Sequence, residues 1–530
     1  MRRGYARAPM ASIAPIRSPY PDVVIPDVPL SDYVLGTIGD ERDRPALVDA
    51  VSGQTITFGG LADGVRRLAA GLSARGIRQG DVVAIWAPNL PEYAVVFHAV
   101  SRIGAILTTV NPAYTAEEGA FQLRDAGACL LVTVGALVDR ARHAVAAAGH
   151  AVDVVTIDAV DGVPSLDAIA VDGDPPQVVI DPGDVVVMPY SSGTTGLPKG
   201  VMLTHRNLVA NLAQIDALES KELRAFVGVL PFFHIYGMVV IMNLALLRRA
   251  TSVTLPRFDL ETFLRVLQDW PIALAHIVPP IAVALAKHPI VDRYDLSNVR
   301  WLFSGAAPLG VHLTEAVQTR LGVRVRQGYG MTEASPATHY TVPGGERAGK
   351  IGPLMPNTEG RIVDPESGVD VGPGQSGEIW VRGPQVMKGY LNNPEATART
   401  VTGDGWLRTG DIGVVDEDGY LEVVDRLKEL IKVKGFQVAP AELEALLLKH
   451  PNIADAAVIP VLDDDSGEVP KAIVVVREPM AGAEVMAFVA EHVAHYKRLR
   501  HVAFATAIPK SPSGKILRRV LVAQDRAPVS

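Results

Sequence analysis

Over most of this chain, short runs of Val, Ile and Leu alternate with longer Ala- and Leu-rich stretches. Residues 81–86 read Asp-Val-Val-Ala-Ile-Trp, residues 91–97 Pro-Glu-Tyr-Ala-Val-Val-Phe, and residues 104–110 Gly-Ala-Ile-Leu-Thr-Thr-Val. A continuous apolar run bounded by turn residues fits a strand buried on both faces, and helical stretches between such strands connect parallel neighbours. The pattern predicts parallel sheets covered by helices from about residue 30 to 425. Near the end of that span the texture changes. Gly-Arg-Ile-Val at 360–363, Gly-Glu-Ile-Trp-Val-Arg at 377–382 and Gly-Tyr-Leu-Glu-Val-Val at 419–424 are short strands set among Gly and Asp, which predicts a small β-rich subdomain over 358–425.

Beyond residue 425 the α/β period returns. Strands are expected near 429–433, 453–459 and 471–476, a helix opened by Pro440 at a first-turn position, and a last helix after Gly514. The expected organisation is an extended Pro-rich segment at 1–29, a large multi-subdomain α/β domain at 30–425, and a smaller, mobile α+β domain at 426–530. A length of 530 residues exceeds what one hydrophobic core usually supports, which agrees with more than one domain.

Composition narrows the partners more than the fold. A formal charge of -8 gives no general attraction for nucleic acid or anionic membrane, so no nucleic-acid partner is expected. No transmembrane segment is expected, and the N-terminal stretch is broken by Pro and Arg before a secretory apolar region develops. The single cysteine, Cys129, excludes an intramolecular disulfide and a Cys-rich zinc site. It reads as a small buried apolar side chain in a cytoplasmic protein. The oligomeric state is not legible.

The strongest chemical signal is residues 190–200, Tyr-Ser-Ser-Gly-Thr-Thr-Gly-Leu-Pro-Lys-Gly. Short donors and close-approaching amides at Ser191, Ser192, Gly193, Thr194 and Thr195, with the charge of Lys199, suit triphosphate oxygens. A Walker A loop is excluded, because Pro198 stands where a second glycine is required and neither Ser nor Thr follows Lys199. Strand-like runs at 185–188 and 201–203 flank the loop, and Thr204 is placed to cap a helix carrying Leu208, Leu212 and Ile215.

Four further positions each admit two readings. His234, among aromatics at 231–237, is a pocket wall or a satisfied core histidine. Glu333, after Gln-Gly-Tyr-Gly-Met-Thr at 327–332, is a magnesium-holding carboxylate or part of a helix start capped by Thr332. Asp411, closing Trp-Leu-Arg-Thr-Gly-Asp at 406–411, accepts ribose hydroxyls or merely ends a turn. Lys515, at the tip of a Pro/Ser/Gly loop, is solvated unless that loop docks elsewhere. Two other motifs carry little. Gly-x-Gly-x-x-Gly at 372–377 runs into a strand-like segment and reads as a turn, and His492 and His495, three apart in a predicted helix, read as a solvated face.

Taken together and in this order, the segments resemble the adenylate-forming superfamily of acyl-CoA synthetases, luciferases and peptide-synthetase adenylation domains, and most closely its 4-coumarate-CoA ligases. The family's SSGTTGLPKGV box stands unaltered at 191–201, and its GEICIRG box stands as GEIWVRG at 377–383. Trp380 replaces the usual cysteine there, which excludes an acyl-enzyme thioester at that position. The resemblance runs from about residue 33 to 519. It implies an ATP-dependent acid-CoA ligase that makes acyl-AMP and pyrophosphate and then passes the acyl group to CoA, releasing AMP. The implied acid is 4-coumarate or a related arylpropenoate. The alternatives are a medium- or long-chain fatty acid, and a CoA-independent fatty acyl-AMP ligase.

The resemblance also implies residue roles. Ser191, Ser192, Gly193, Thr194, Thr195 and Lys199 would hold the β/γ-phosphates, with Glu333 at Mg2+. Gln327, Gly328, Tyr329 and Thr332 would contact AMP, and Asp411 and Arg426 the ribose. Lys515 would bridge the carboxylate and the α-phosphate, joined in the catalytic set by His234, Thr194 and Glu333. Lys432 and Gln437 match the adenylate-bound state and Lys428 the hinge, while Arg257, Lys434 and Gly435 match CoA contacts. The acid pocket would be walled by Ile235, Tyr236, Val240, Phe303, Ala306, Gly330, Pro336 and Ala337, with Lys432. Phe303 is bulkier than the usual methionine and Ala337 smaller than the usual valine, so one wall narrows and another widens.

Overall fold

A computed structural model describes residues 14–191, 198–433, 436–463, 467–511 and 514–526. Its central sheet has seven strands in the order Gly389–Tyr390, Lys199–Thr204, Val185–Ser191, Ile106–Thr109, Val82–Trp86, Ala128–Thr133 and Asp153–Thr156. The last five are mutually parallel. Val82–Trp86 is buried at every position, as its unbroken apolar run requires. Alternate residues of that strand enter two cores. Val83 and Ile85 pack with residues of the helices Phe58–Ala74 and Pro91–Arg102, whereas Val82, Ala84 and Trp86 pack against Ala116–Ala126 and Val138–Ala148.

Two four-stranded sheets complete the large α/β body. One runs Ala225–Gly228, Thr251–Thr254, Pro45–Asp49, Thr55–Thr57. The other runs Leu274–Ile277, Trp301–Ser304, Arg324–Gly330, Ala337–Tyr340, with only its last strand antiparallel. The expected β-rich subdomain is a five-stranded antiparallel sheet of Ile16–Arg17, Glu359–Val363, Ser376–Arg382, Leu407–Val415 and Leu421–Arg426.

Within the segment expected to be extended, Ile16–Arg17 joins that sheet as its edge strand. Ile16 pairs with Gly360, the Ser18 hydroxyl donates to the Leu354 carbonyl at 2.9 Å, and the Val23 amide donates to Asn357 at 3.0 Å. An edge strand leaves a row of unpaired amides and carbonyls, and an extended segment that cannot form a helix is well suited to cover it.

The C-terminal part has its own sheet, ordered Phe436–Val438, Ile431–Val433, Gly467–Val476, Ile453–Asp463, with His501–Phe504 added parallel to Gly467–Val476. Pro440–Leu447 and Gly482–His492 bury Leu443, Leu447, Val485 and Val489 on one face, and Arg518–Arg526 covers the other with Leu521. The helix carrying His492 ends there because Val493 is extended, at φ -130° and ψ 158°. His495 starts a separate short turn, so the two histidines do not share a helical face as expected. Among the described residues, no helix is long and apolar enough to cross a membrane.

Five histidines, His98, His205, His234, His276 and His339, sit in the large body, and burial holds each below its ordinary range, to about 3 for four of them and about 4 for His205. They are neutral when folded and take up protons on unfolding below about pH 6.5, so each makes stability fall as the pH drops below that value. The stability they allow is complete above that pH and is lost as the pH falls toward 3 to 4. The midpoint of urea unfolding should therefore fall steeply from pH 6.5 to 5, and a flat profile over that interval would contradict the neutral assignment.

Candidate active site

Asp411 lies on the strand Leu407–Val415, fixed from behind by the 377–383 box. Gly410 has a φ of +72°, a conformation glycine adopts without penalty. Its amide donates to Glu378 at 3.0 Å, the Thr409 hydroxyl donates to the Ile379 carbonyl at 2.6 Å, and the Asp411 amide donates back to that hydroxyl at 3.1 Å. Trp380 contributes its indole N–H to Glu378 at 2.8 Å, while its ring lies between the guanidiniums of Arg361 and Arg408, 5.3 and 4.8 Å away. The Trp380 position thus belongs to the scaffold behind this strand. The Asp411 carboxylate then faces Tyr329, whose hydroxyl donates to Oδ2 at 2.6 Å, and Arg426, whose Nε lies 3.3 Å from Oδ1. Burial, reinforced by Asp411, pushes the Tyr329 phenol well above its ordinary range, so it stays a donor.

Ser191 and Lys199 are paired neighbours on the antiparallel strands that bracket the candidate phosphate loop. Ser192, Gly193, Thr194 and Thr195 lie outside the described residues. The Ser191 hydroxyl donates to Glu333 Oε1 at 3.1 Å, and Tyr390 donates to the same oxygen at 2.8 Å. The Lys199 ammonium stands 4.9 Å from the centroid of the Tyr390 ring. Tyr390 was not singled out in the sequence. Only the pairing of its two-residue strand with Val201 and Met202 brings it here. Glu333 belongs to the short turn Thr332–Ala334, which Thr332 starts without capping, since Met331 holds the preceding position.

Lys515 reaches this cluster from the C-terminal sheet's side. Its loop is closed by hydrogen bonds from the Ser511 amide to the Lys515 carbonyl at 2.8 Å and from the Lys515 amide to the Ser511 hydroxyl at 3.1 Å. A side chain on Gly514 would come within 2.9 Å of Pro280, so the loop tip is pressed against the large body. Withdrawal from water and then Arg426 hold the Lys515 ammonium below the ordinary lysine range, opposed by Asp411, Glu333 and Glu429. His234 is kept neutral by burial and by Lys515. Its Nδ1 accepts the Tyr236 amide at 3.3 Å, which leaves the ring proton on Nε2.

The residues expected to wall an acid pocket gather where a chain segment does not follow the ordinary helical pattern. Tyr236–Asn243 is a π-helix, a widening that periodicity did not foretell, and the Asn243 amide group donates to the Met238 carbonyl at 2.9 Å. Ile235, Tyr236, Val240, Phe303, Pro336 and Ala337 are buried, and Ala306 and Gly330 are half-buried. A side chain on Gly328 would come within 2.7 Å of the Phe303 ring, and one on Gly330 within 2.1 Å of the Pro336 carbonyl. Glycine at both positions permits these close approaches. Gln327 accepts the Leu309 amide at 3.0 Å. Arg257, Lys428 and Lys432 are exposed, and Lys432 and Gln437 are paired across neighbouring strands. Lys434, Gly435 and the Gln437 side chain lie outside the described residues.

Two buried carboxylates result, Glu333 held by Ser191 and Tyr390, and Asp411 held by Tyr329 and Arg426. The chain belongs to the AMP-binding enzyme family, whose model matches residues 37–391, with the AMP-binding enzyme C-terminal domain at 442–515. It is 46% identical to 4-coumarate-CoA ligase 5 of Oryza sativa subsp. japonica over 96% of this chain and 97% of that one, and 45% identical to 4-coumarate-CoA ligase 2 of Nicotiana tabacum over 96% of each. Among solved structures it is similar to ATP-bound MatB from Rhodopseudomonas palustris, with a TM-score of 0.86 and 29% identity over 95% of this chain and 100% of that one. An anthranilate CoA ligase in complex with anthranoyl-AMP gives the same TM-score at 25% identity, covering 95% and 98%.

Replacing Glu378 by alanine should leave the Gly410 amide and the Trp380 N–H without their acceptor and loosen Asp411. The expected result is a rise of roughly tenfold in KM for ATP, as leaving buried donors unpaired commonly costs, with little change in KM for the acid, both read from pyrophosphate release. Loss of thermal stability with both constants unchanged would assign Glu378 to the fold alone.

Proposed function

We propose that the protein is an ATP-dependent, AMP-forming acid-CoA ligase whose acid is 4-coumarate or a related arylpropenoate. The observation that carries this reading is the seating of the Lys515 loop against Pro280, which brings the ammonium near Arg426, Asp411, Glu333 and His234. Adenylation brings a carboxylate up to an already anionic phosphate, so its barrier falls most when fixed cations and donors face the oxygens on which charge builds. A carboxylate oxygen of the acid attacks the α-phosphorus, the bond to the bridging oxygen breaks, and pyrophosphate departs. Lys515 is the cation placed for that step, and Lys199 is placed for the leaving group. Tyr329 and Arg426 orient Asp411 toward the ribose.

Glu333 suits a Mg2+ ion. One carboxylate with substrate phosphate oxygens is an ordinary magnesium environment, and Oε1 is already oriented by Ser191 and Tyr390. The ion would neutralise phosphate charge.

In the second half-reaction the CoA sulfur attacks the acyl carbonyl, the mixed anhydride bond to phosphate breaks, and AMP leaves. Space for the thiol requires Lys515 to withdraw, which a rotation near Lys428 would achieve. Arg257, exposed on the loop after Thr251–Thr254, and the 434–435 segment are the proposed CoA contacts. The buried aromatic walls Tyr236 and Phe303 favour a flat ring.

Two outcomes test the assignment. Lys515→Ala should lower pyrophosphate release from ATP and acid by at least ~100-fold while sparing thioester formation from preformed acyl-AMP; equal loss of both steps contradicts the role. CoA-dependent AMP release should be higher with 4-coumarate than with benzoates or fatty acids, and release that does not depend on CoA would overturn the ligase reading.

A further inference from the structure

We propose that the buried cluster of Glu219, Arg326 and Tyr340 is a positioning device that sets the inner wall of the acid pocket, and with it the preference for flat aryl acids over flexible alkyl acids. The inference rests on the pocket assigned to Tyr236 and Phe303 above. Parallel strand register places His276, Phe303 and Arg326 side by side on the three strands Leu274–Ile277, Trp301–Ser304 and Arg324–Gly330. Arg326 and Glu219 have fully buried side chains, with Nη1 2.9 Å from Oε1 and Nη2 3.2 Å from Oε2, a bidentate pair. The Tyr340 hydroxyl donates to Glu219 as well.

Two members of the cluster, Arg326 and Tyr340, pack directly on a pocket aromatic, and Glu219 bonds both of them. The Tyr340 ring stacks on Phe303 at 4.4 Å between centroids, and the Arg326 guanidinium lies 5.5 Å from the Phe303 ring. The Phe303 carbonyl accepts the Tyr236 hydroxyl at 3.3 Å. His276, kept neutral by burial and by Arg326, packs its ring against both, at 5.5 Å from Phe303 and 6.0 Å from Tyr236. A side chain on Gly305 would come within 2.8 Å of the Tyr236 ring, so the strand end beside it is also shaped to that ring.

Stability alone is a poor reason for such a cluster. Desolvating two charges generally offsets what their attraction returns, and Arg326 Nε finds no partner here. Directional bonds do something that apolar packing does not, which is to hold the two rings in one arrangement. A rigid slot admits a planar ring at little entropic cost, whereas an alkyl chain adapts to a slack pocket as well as to a firm one.

The test measures kcat and KM for 4-coumarate and for octanoate in Tyr340→Phe, which keeps the stacked ring and removes only its bond to Glu219, and in the paired apolar variant Glu219→Leu with Arg326→Met. The ratio of kcat/KM for 4-coumarate to that for octanoate should fall about tenfold in each, mostly through KM for 4-coumarate, while KM for ATP and for CoA stays unchanged. If the paired variant does not fold, Tyr340→Phe decides alone. An unchanged ratio in folded protein overturns the proposal and leaves the ligase reading intact. A wild-type enzyme that activates neither acid overturns both.

Discussion

A lysine ammonium withdrawn from water beside a guanidinium is unfavourable, and the active site is organised around making that position tolerable for Lys515. Arg426 and burial both work against its charge, while Asp411, Glu333 and Glu429 work in its favour. Those three carboxylates come from three different parts of the chain. Glu333 stands in the turn after Arg324–Gly330, Asp411 on the β-rich sheet, and Glu429 in the turn that leads to the C-terminal sheet. The carboxylates offset only part of the cost of docking the ammonium, and an incoming triphosphate would add negative charge in its favour.

The carboxylates are themselves held by groups whose work is mechanical. Glu378 ties the strand at Gly410 to the 377–383 box, so that Asp411 meets Tyr329 and Arg426 in one orientation. Tyr390 and Ser191 share one oxygen of Glu333. On the C-terminal side, Arg518 bonds Glu429 and Glu444 together, the latter at 2.6 Å, and so links the last helix to the turn that follows Arg426. The Ala441 amide at the start of Pro440–Leu447 donates to Asp425 at 2.9 Å, one residue before Arg426. Asp411, the segment 425–429 and the last helix are thus parts of one connected network.

Much of this was written locally. The unbroken run at 82–86 required a strand buried on both faces, Thr204 was placed to cap His205–Leu218 and does so in a capping box with Asn207, and Pro440 opens its helix. Local pattern failed where the deciding contact was remote. Residues 16–17 look like tail until the edge of Glu359–Val363 is known, and Tyr236–Asn243 carries an apolar run that suits several helical geometries equally well.

The sequence by itself determined which chemistry is available: a phosphate-binding box, two isolated carboxylates, and a lysine in a Pro/Ser/Gly loop, in an order that belongs to one family. Tertiary structure decided which of them meet. Ser191 and Glu333 are 142 residues apart, Tyr329 and Asp411 82 apart, and Arg326 and Glu219 107 apart. Periodicity reports only on neighbours within a turn or a strand, whereas these pairs are brought together by sheet order and register. The proposed choice of acid falls in this second category, because strand register brings Arg326 and Tyr340 against the Phe303 ring.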